Sequence, residues 1–269
     1  MIHEDGPWLV ALDIDGTTLR DDGSISDAVS EQVRRLDAAG HAVTFATGRS
    51  SAATIPVLDR LGITPQFLVC SNGAITLRRA CAAPNGYDRE WVESFDATGV
   101  LRSIRKHVEN AHLAVEDEHG HFRVTDPFPE TTIGLDGEHV DFYELLDRPV
   151  TRVIVMSPDR VTPGFLTMIQ DMGLQRVCWT VGWTTWMDIA ADGVNKATAM
   201  ERVRIELGIP RERVIAVADG RNDIELLTWA SASGRGVAMG QSPDDVIEAA
   251  REVTGTVQDD GLAEVLASL

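Results

Sequence analysis

Cysteine is scarce in this chain. Its three residues, Cys70, Cys81 and Cys178, are odd in number and widely spaced. Neither a disulfide framework nor a zinc-ligand spacing follows, and a reducing compartment is expected. Positive charge is also short: 24 basic residues stand against 42 acidic ones, for a formal net charge of -18. A nucleic-acid binder needs a basic footprint, and anionic lipid attracts one, so no nucleic acid and no membrane surface is expected as partner. No apolar run approaches the ~20 residues of a membrane span. The opening MIHEDGPW is acidic where a signal peptide is basic and then apolar, so a cytoplasmic location is expected. No repeat of fixed period and no low-complexity tract is visible. What remains is a globular composition, 43% hydrophobic over 269 residues, enough for one large or two modest domains.

The chain is organised around Trp8 to Leu19, WLVALDIDGTTL. A continuous apolar run that stops at a turn signal suits a strand buried on both faces of a parallel sheet. It stops at Asp13 and Asp15. Residues two apart on a strand share a side, so the two carboxylates leave the sheet edge together, and Gly16 lets the chain turn. At ~4 Å and an effective dielectric near 20, such a pair repels by about 4 kcal/mol. A cation or a shared proton is the usual way to offset that.

Strand and helix signals then alternate. Ser26 caps a helix carrying Val29, Val33 and Leu36. His41 to Ala46 is a strand ending in Thr47-Gly48-Arg49. Ser50 or Ser51 caps a helix to Leu61, and Phe67 to Cys70 is a strand ending in Ser71-Asn72-Gly73-Ala74. This alternation implies a parallel sheet with crossover helices. The rhythm changes near Arg78, and Ala80 to Asp88, with its Pro, Gly and Asn, reads as a domain boundary. Beyond it come a weak strand at Glu90 to Glu93, a helix from about Ala97 to Asn110, and hairpins around His119-Gly120 and Gly182. A strand at Arg152 to Met156 and a helix at Pro163 to Met172 lie between the hairpins. Trp179, Trp183 and Trp186 cluster in the last hairpin, where packing is their expected role. From Asp192 the first rhythm returns, with an Asn195-capped helix and a strand from Arg213 to Val217 ending at Asp219. The expected fold is α/β: a Rossmann-like parallel-sheet core, residues 1–80 and 190–269, with helices on both faces. An α+β domain, residues 81–189, is inserted into it.

Ligands in open α/β sheets bind beyond the carboxyl ends of the strands. Four segments place unusual residues there: Asp13 and Asp15; Thr47-Gly48; Lys196, a cation in a first helical turn where it opposes the macrodipole; and Asp219 to Asp223. Each alone reads as an ordinary turn or cap. Together they place four carboxylates (Asp13, Asp15, Asp219, Asp223), a lysine and a threonine at one edge. No His or Cys is among them, so a hard ion such as Mg²⁺ is indicated. Mg²⁺, lysine, hydroxyl and helix N-termini together favour phosphate.

DIDGT at Asp13, ATGR at Ala46, Lys196 in GVNKATAM and ADGRNDIELL at Ala218 resemble, in order, the four motifs of the haloacid dehalogenase superfamily. SNGA at Ser71 and VAMG at Val237 resemble its Cof-type phosphatase branch; Ala197, Ala218 and Gln241 depart from the residues common there. The resemblance implies that the insert is a cap that closes over the site. It implies Asp13 as nucleophile forming an aspartyl-phosphate, and Asp15 as general acid and base. Mg²⁺ would be held by Asp13, Asp219 and the backbone carbonyl of Asp15, with Asp223 supporting the metal shell or Lys196. Thr47, Gly48, Lys196 and Asn222 would bind phosphoryl oxygens. The expected activity is a Mg²⁺-dependent phosphatase acting on a small phosphorylated metabolite, as a monomer or homodimer. The alternatives are a sugar-phosphate phosphomutase and a phosphate-binding protein without turnover.

Overall fold

The computed structural model describes residues 6–83, 85–108, 110–128, 137–157, 174–181 and 184–269, the backbone alone for 157, 174–181 and 184–186. The runs LVAL (Leu9–Leu12), FLVC (Phe67–Cys70) and VIAVA (Val214–Ala218) are buried at every position, as strands covered on both faces must be. They belong to a sheet of eight strands. Its order is Glu252–Val253, Arg235–Ala238, Val214–Ala218, Leu9–Leu12, Ala42–Ala46, Phe67–Cys70, Ile75–Arg79, Tyr87–Val92. The first six are parallel; the last two turn back antiparallel.

Alternation along the strands decides what each side chain meets. Val10 and Leu12 pack with Val29, Val33 and Leu36 of helix Asp27–Ala38, and with Val57, Leu58 and Leu61 of helix Ser51–Leu61. Leu9 and Ala11 pack on the other face with Met200 and Val203 of helix Lys196–Glu206, and with Leu226 and Ala230 of helix Ile224–Ser231. Each fully buried Leu or Val is worth roughly 1.5–3 kcal/mol. The helices start where expected: the hydroxyls of Ser26 and Ser50 accept from the N–H groups of Val29 and Ala53.

The turn signal near residue 80 proves to be a hairpin. The Ala80 N–H donates to the Gly86 carbonyl, and Tyr87–Val92 returns alongside Ile75–Arg79. The large sheet therefore runs past the boundary expected at 80, and the chain leaves it after Val92. Turn residues mark where a chain reverses, not whether it stays in its sheet.

The second sheet has the order Leu174–Val181, Thr184–Ala191, Arg152–Ser157, His112–Glu116, Phe122–Val124, Glu138–His139. Helix Thr98–His107 lays Val100, Leu101 and Ile104 on one face of it, against Leu113, Val115, Val153, Val155, Met187 and Ile189. The intervening Glu116, Arg152, Ile154 and Asp188 lie on the opposite face, which turns toward the carboxyl ends of the large sheet. The helix expected at Pro163 to Met172, and Trp183, lie outside the described residues, as do the side chains of Trp179 and Trp186. Among the described residues no helix is long and apolar enough to cross a membrane.

Candidate active site

Two neighbouring strands deliver Asp13 and Asp219 side by side. Leu12 is in register with Val217, and the Asp13 N–H donates to the Val217 carbonyl at 3.0 Å. In the turn that follows, the Gly220 N–H donates to Asp223 Oδ2 at 3.1 Å and draws that carboxylate inward. One oxygen each from Asp13, Asp219 and Asp223 lie within 4.8 Å of one another. The helix capped by the Asn195 side chain begins at Lys196. Its fully buried Nζ stands 2.6 Å from Asp13 Oδ1 and 2.6 Å from Asp223 Oδ1. At residue 16 only glycine fits. Its φ is +72°, and a Cβ would lie 2.1 Å from Asp219 Oδ2. The Thr17 hydroxyl donates to Asp219 Oδ1 at 3.4 Å, and the Gln241 amide donates to the Gly16 carbonyl at 2.6 Å. Gln241, a departure from the family's usual residue, thus ties the turn down.

Three carboxylates cluster here, and one ammonium pairs with two of them. Burial pushes Asp13 up to about 7, against the pull of Lys196 and with a further push from Asp223. Burial, and then the charge of Asp13, pushes Asp219 up to about 7 as well; burial also raises Asp223. Burial works against the Lys196 charge, but Asp13 and Asp223 outweigh it and hold the ammonium protonated. The uncompensated negative charge and the all-oxygen donor set fit a hard divalent cation.

A pH dependence follows. Unfolded carboxylates release their protons near ~4, whereas Asp13 and Asp219 hold theirs in the metal-free fold up to about 7. Between those limits the folded state binds more protons, so this contribution to stability falls as pH rises. In chelator, the fall in Tm from about pH 5 to pH 8 should be smaller for Asp219→Asn than for the unaltered protein. Equal slopes in a thermal melt series would contradict this assignment.

Around this point, Asp15 is exposed and paired in bidentate fashion with Arg49, Nε to Oδ2 at 2.8 Å and Nη2 to Oδ1 at 2.5 Å. Its carboxylate therefore stands outside the group of three that sequence reasoning had it join. Thr47 is buried, and its hydroxyl accepts from the Arg49 N–H at 3.1 Å. Asn222 donates to Asn72 Oδ1 at 3.0 Å. Ser71 and Asn72 have φ near +50°, uncommon for residues other than glycine. The Ser71 N–H to the Arg49 carbonyl and the Asn72 N–H to the Thr47 carbonyl fix that turn.

A cleft of about 520 Å³ opens here, lined by Asp13, Asp15, Gly48, Arg49, Asn72, Asp219, Arg221 and Asn222 below and by Arg152, Ile154 and Asp188 from the second sheet. Thus Asp13, Lys196, Asp219 and Asp223 converge; Asp15, Gly48 and Asn222 line the cleft; Thr47 lies buried beside it. Sequence reasoning missed Arg49 and Asn72, although both sit in segments it singled out. It also missed Glu116, Arg152 and Asp188. Their signal was a lone charge in an otherwise apolar strand.

A family model described as haloacid dehalogenase-like hydrolase matches residues 10–266. The 5-amino-6-(5-phospho-D-ribitylamino)uracil phosphatase YitU of Bacillus subtilis is 29% identical, over 98% of this chain and 97% of that protein. The pyridoxal phosphate phosphatase YbhA of Escherichia coli is 27% identical, over 97% of each. The solved structure of a haloacid dehalogenase-like hydrolase from Bacteroides thetaiotaomicron superposes with a TM-score of 0.76 at 21% identity, covering 97% of this chain and 99% of that one.

Proposed function

The chain belongs to the haloacid dehalogenase-like hydrolases, and from that premise we propose that it is a Mg²⁺-dependent phosphatase acting on phosphate monoesters of small metabolites. The observation that carries this reading is the convergence of Asp13, Asp219, Asp223 and Lys196 at one buried point beneath a cleft. By their names, two relatives of nearly equal identity act on different phosphate esters. That supports the class of substrate.

Asp13 attacks phosphorus. The bond to the ester oxygen breaks, and the alcohol leaves with a proton from Asp15, giving an aspartyl-phosphate. Water, deprotonated by Asp15, then attacks phosphorus and frees Asp13. For these transfers the Asp15–Arg49 pair has to open, which also frees the Arg49 guanidinium to meet phosphoryl charge. Lys196 orients Asp13 through Oδ1 and opposes the negative charge that the phosphoryl group brings. The Thr47 hydroxyl accepts from Arg49 and still has its own proton to donate. The Gly48 backbone and the Asn222 amide are the remaining phosphoryl contacts. Mg²⁺ bound by Asp13, Asp219 and the Asp15 carbonyl, with Asp223 behind, would offset the charge of carboxylates and phosphoryl oxygens.

The test is release of inorganic phosphate from p-nitrophenyl phosphate. Turnover should fall at least about 100-fold in chelator and return on adding Mg²⁺. An isomeric ester in place of free phosphate, with a sugar phosphate as substrate, would mark a mutase. No turnover across a panel of phosphorylated metabolites would refute the reading.

A further inference from the structure

The cleft wall opposite Asp13 comes from the second sheet. Arg152 and Asp188 lie on adjacent strands, where Ile154 is in register with Asp188. Arg152 is buried. Its Nε donates to Glu116 Oε2 at 2.7 Å, and its Nη1 donates to the Gly48 carbonyl at 2.6 Å and to Asp188 Oδ2 at 3.2 Å. Asn72 also donates to Asp188 Oδ2, at 2.9 Å. Both bonds to Asp188 fall on Oδ2; Oδ1 accepts none among the described residues.

The cations of the cleft are spoken for. Arg49 faces Asp15, Arg152 faces Glu116 and Asp188, and Arg221 faces Asp245 at 2.6 Å. Once its pair with Asp15 opens, Arg49 meets the reacting phosphoryl group. Arg152 is buried between two carboxylates, and the half-exposed Arg221 is held toward Asp245, so the wall at Asp188 offers no unpaired guanidinium among the described residues. A leaving group with its own negative charge would meet Asp188 instead, at a cost set by like charges in a partly dry site. A hydroxyl or amine would find an open acceptor beside the apolar face of Ile154.

Resting on the phosphatase reading, we propose that Asp188, held by Asn72 and Arg152, determines specificity. It accepts hydrogen bonds from a neutral, hydroxyl- or amine-bearing leaving group and turns away esters whose leaving group is anionic.

The experiment compares D-ribitol 5-phosphate and D-glucose 6-phosphate with 3-phosphoglycerate and D-fructose 1,6-bisphosphate, with Mg²⁺. In the unaltered protein kcat/KM should be at least ~10-fold higher for the first pair. Asp188→Asn keeps the shape and an oxygen for Asn72 but removes the charge. It should narrow that preference by about 10-fold, chiefly through a raised KM for the polyol esters. An unaltered protein that hydrolyses both classes equally overturns this proposal and leaves the phosphatase reading standing. One that hydrolyses no ester, p-nitrophenyl phosphate included, overturns both. An equal loss on all esters in Asp188→Asn would mark a merely structural residue and also overturns it. If the variant does not fold, the unaltered protein still tests the preference itself, and its absence overturns the proposal.

Discussion

Replacing Asp13 with asparagine should lower phosphate-ester turnover by about 10⁴-fold or more, since losing a nucleophile removes the covalent route altogether. The fold should stand. Asp13 is one of three clustered carboxylates, two of which share a single ammonium, and burial already pushes it up to about 7. An amide of the same shape keeps an acceptor for Lys196 and removes a charge that the site holds at a cost. Thermal melting in chelator near pH 8 should therefore show Asp13→Asn no less stable than the unaltered protein. Retained turnover would remove Asp13 from the mechanism; a collapsed fold would show that its charge is structural.

Lys196→Met reverses that pattern. The ammonium is wholly buried and touches two carboxylates. Its removal leaves Asp13, Asp219 and Asp223 without a counter-charge, and breaking a buried pair typically costs about 3–5 kcal/mol. The loss should depend on pH. Below about pH 5 the carboxylates can take up protons and escape most of it. Near pH 8 they must either ionise unpaired or hold protons against the solvent. Urea titrations at the two pH values should show the larger cost at the higher one. A cost equal at both would mean that Lys196 acts through packing alone. Turnover should fall as well, because the same ammonium orients the attacking oxygen of Asp13.

The fold was legible wherever a local pattern carried it. An apolar run ending in Asp13 and Asp15 needs no distant partner to be read as a buried strand, and the caps at Ser26, Ser50 and Asn195 are fixed by neighbours three residues on. The hairpin after Arg79 was misread because composition shows a reversal without showing what the returning strand pairs with. The charged face of the second sheet was harder still. Glu116, Arg152 and Asp188 belong to separate strands, and each becomes meaningful only when alternation and register set them on one face. The Asp15–Arg49 pair joins residues 34 positions apart, and no spacing rule reports such a contact.

The strand Leu9–Leu12 lies between Ala42–Ala46 and Val214–Ala218. One flank of it is ready early in synthesis; the other is about two hundred residues away. At ~5–20 residues per second, the ribosome takes roughly 10–40 s to supply the missing neighbour. Through that interval the nascent chain carries an apolar edge open on one side and an acidic tip without Asp219 beside it. A message cut short before Val214 yields a polypeptide with five of the large sheet's eight strands and without Asp219 and Asp223.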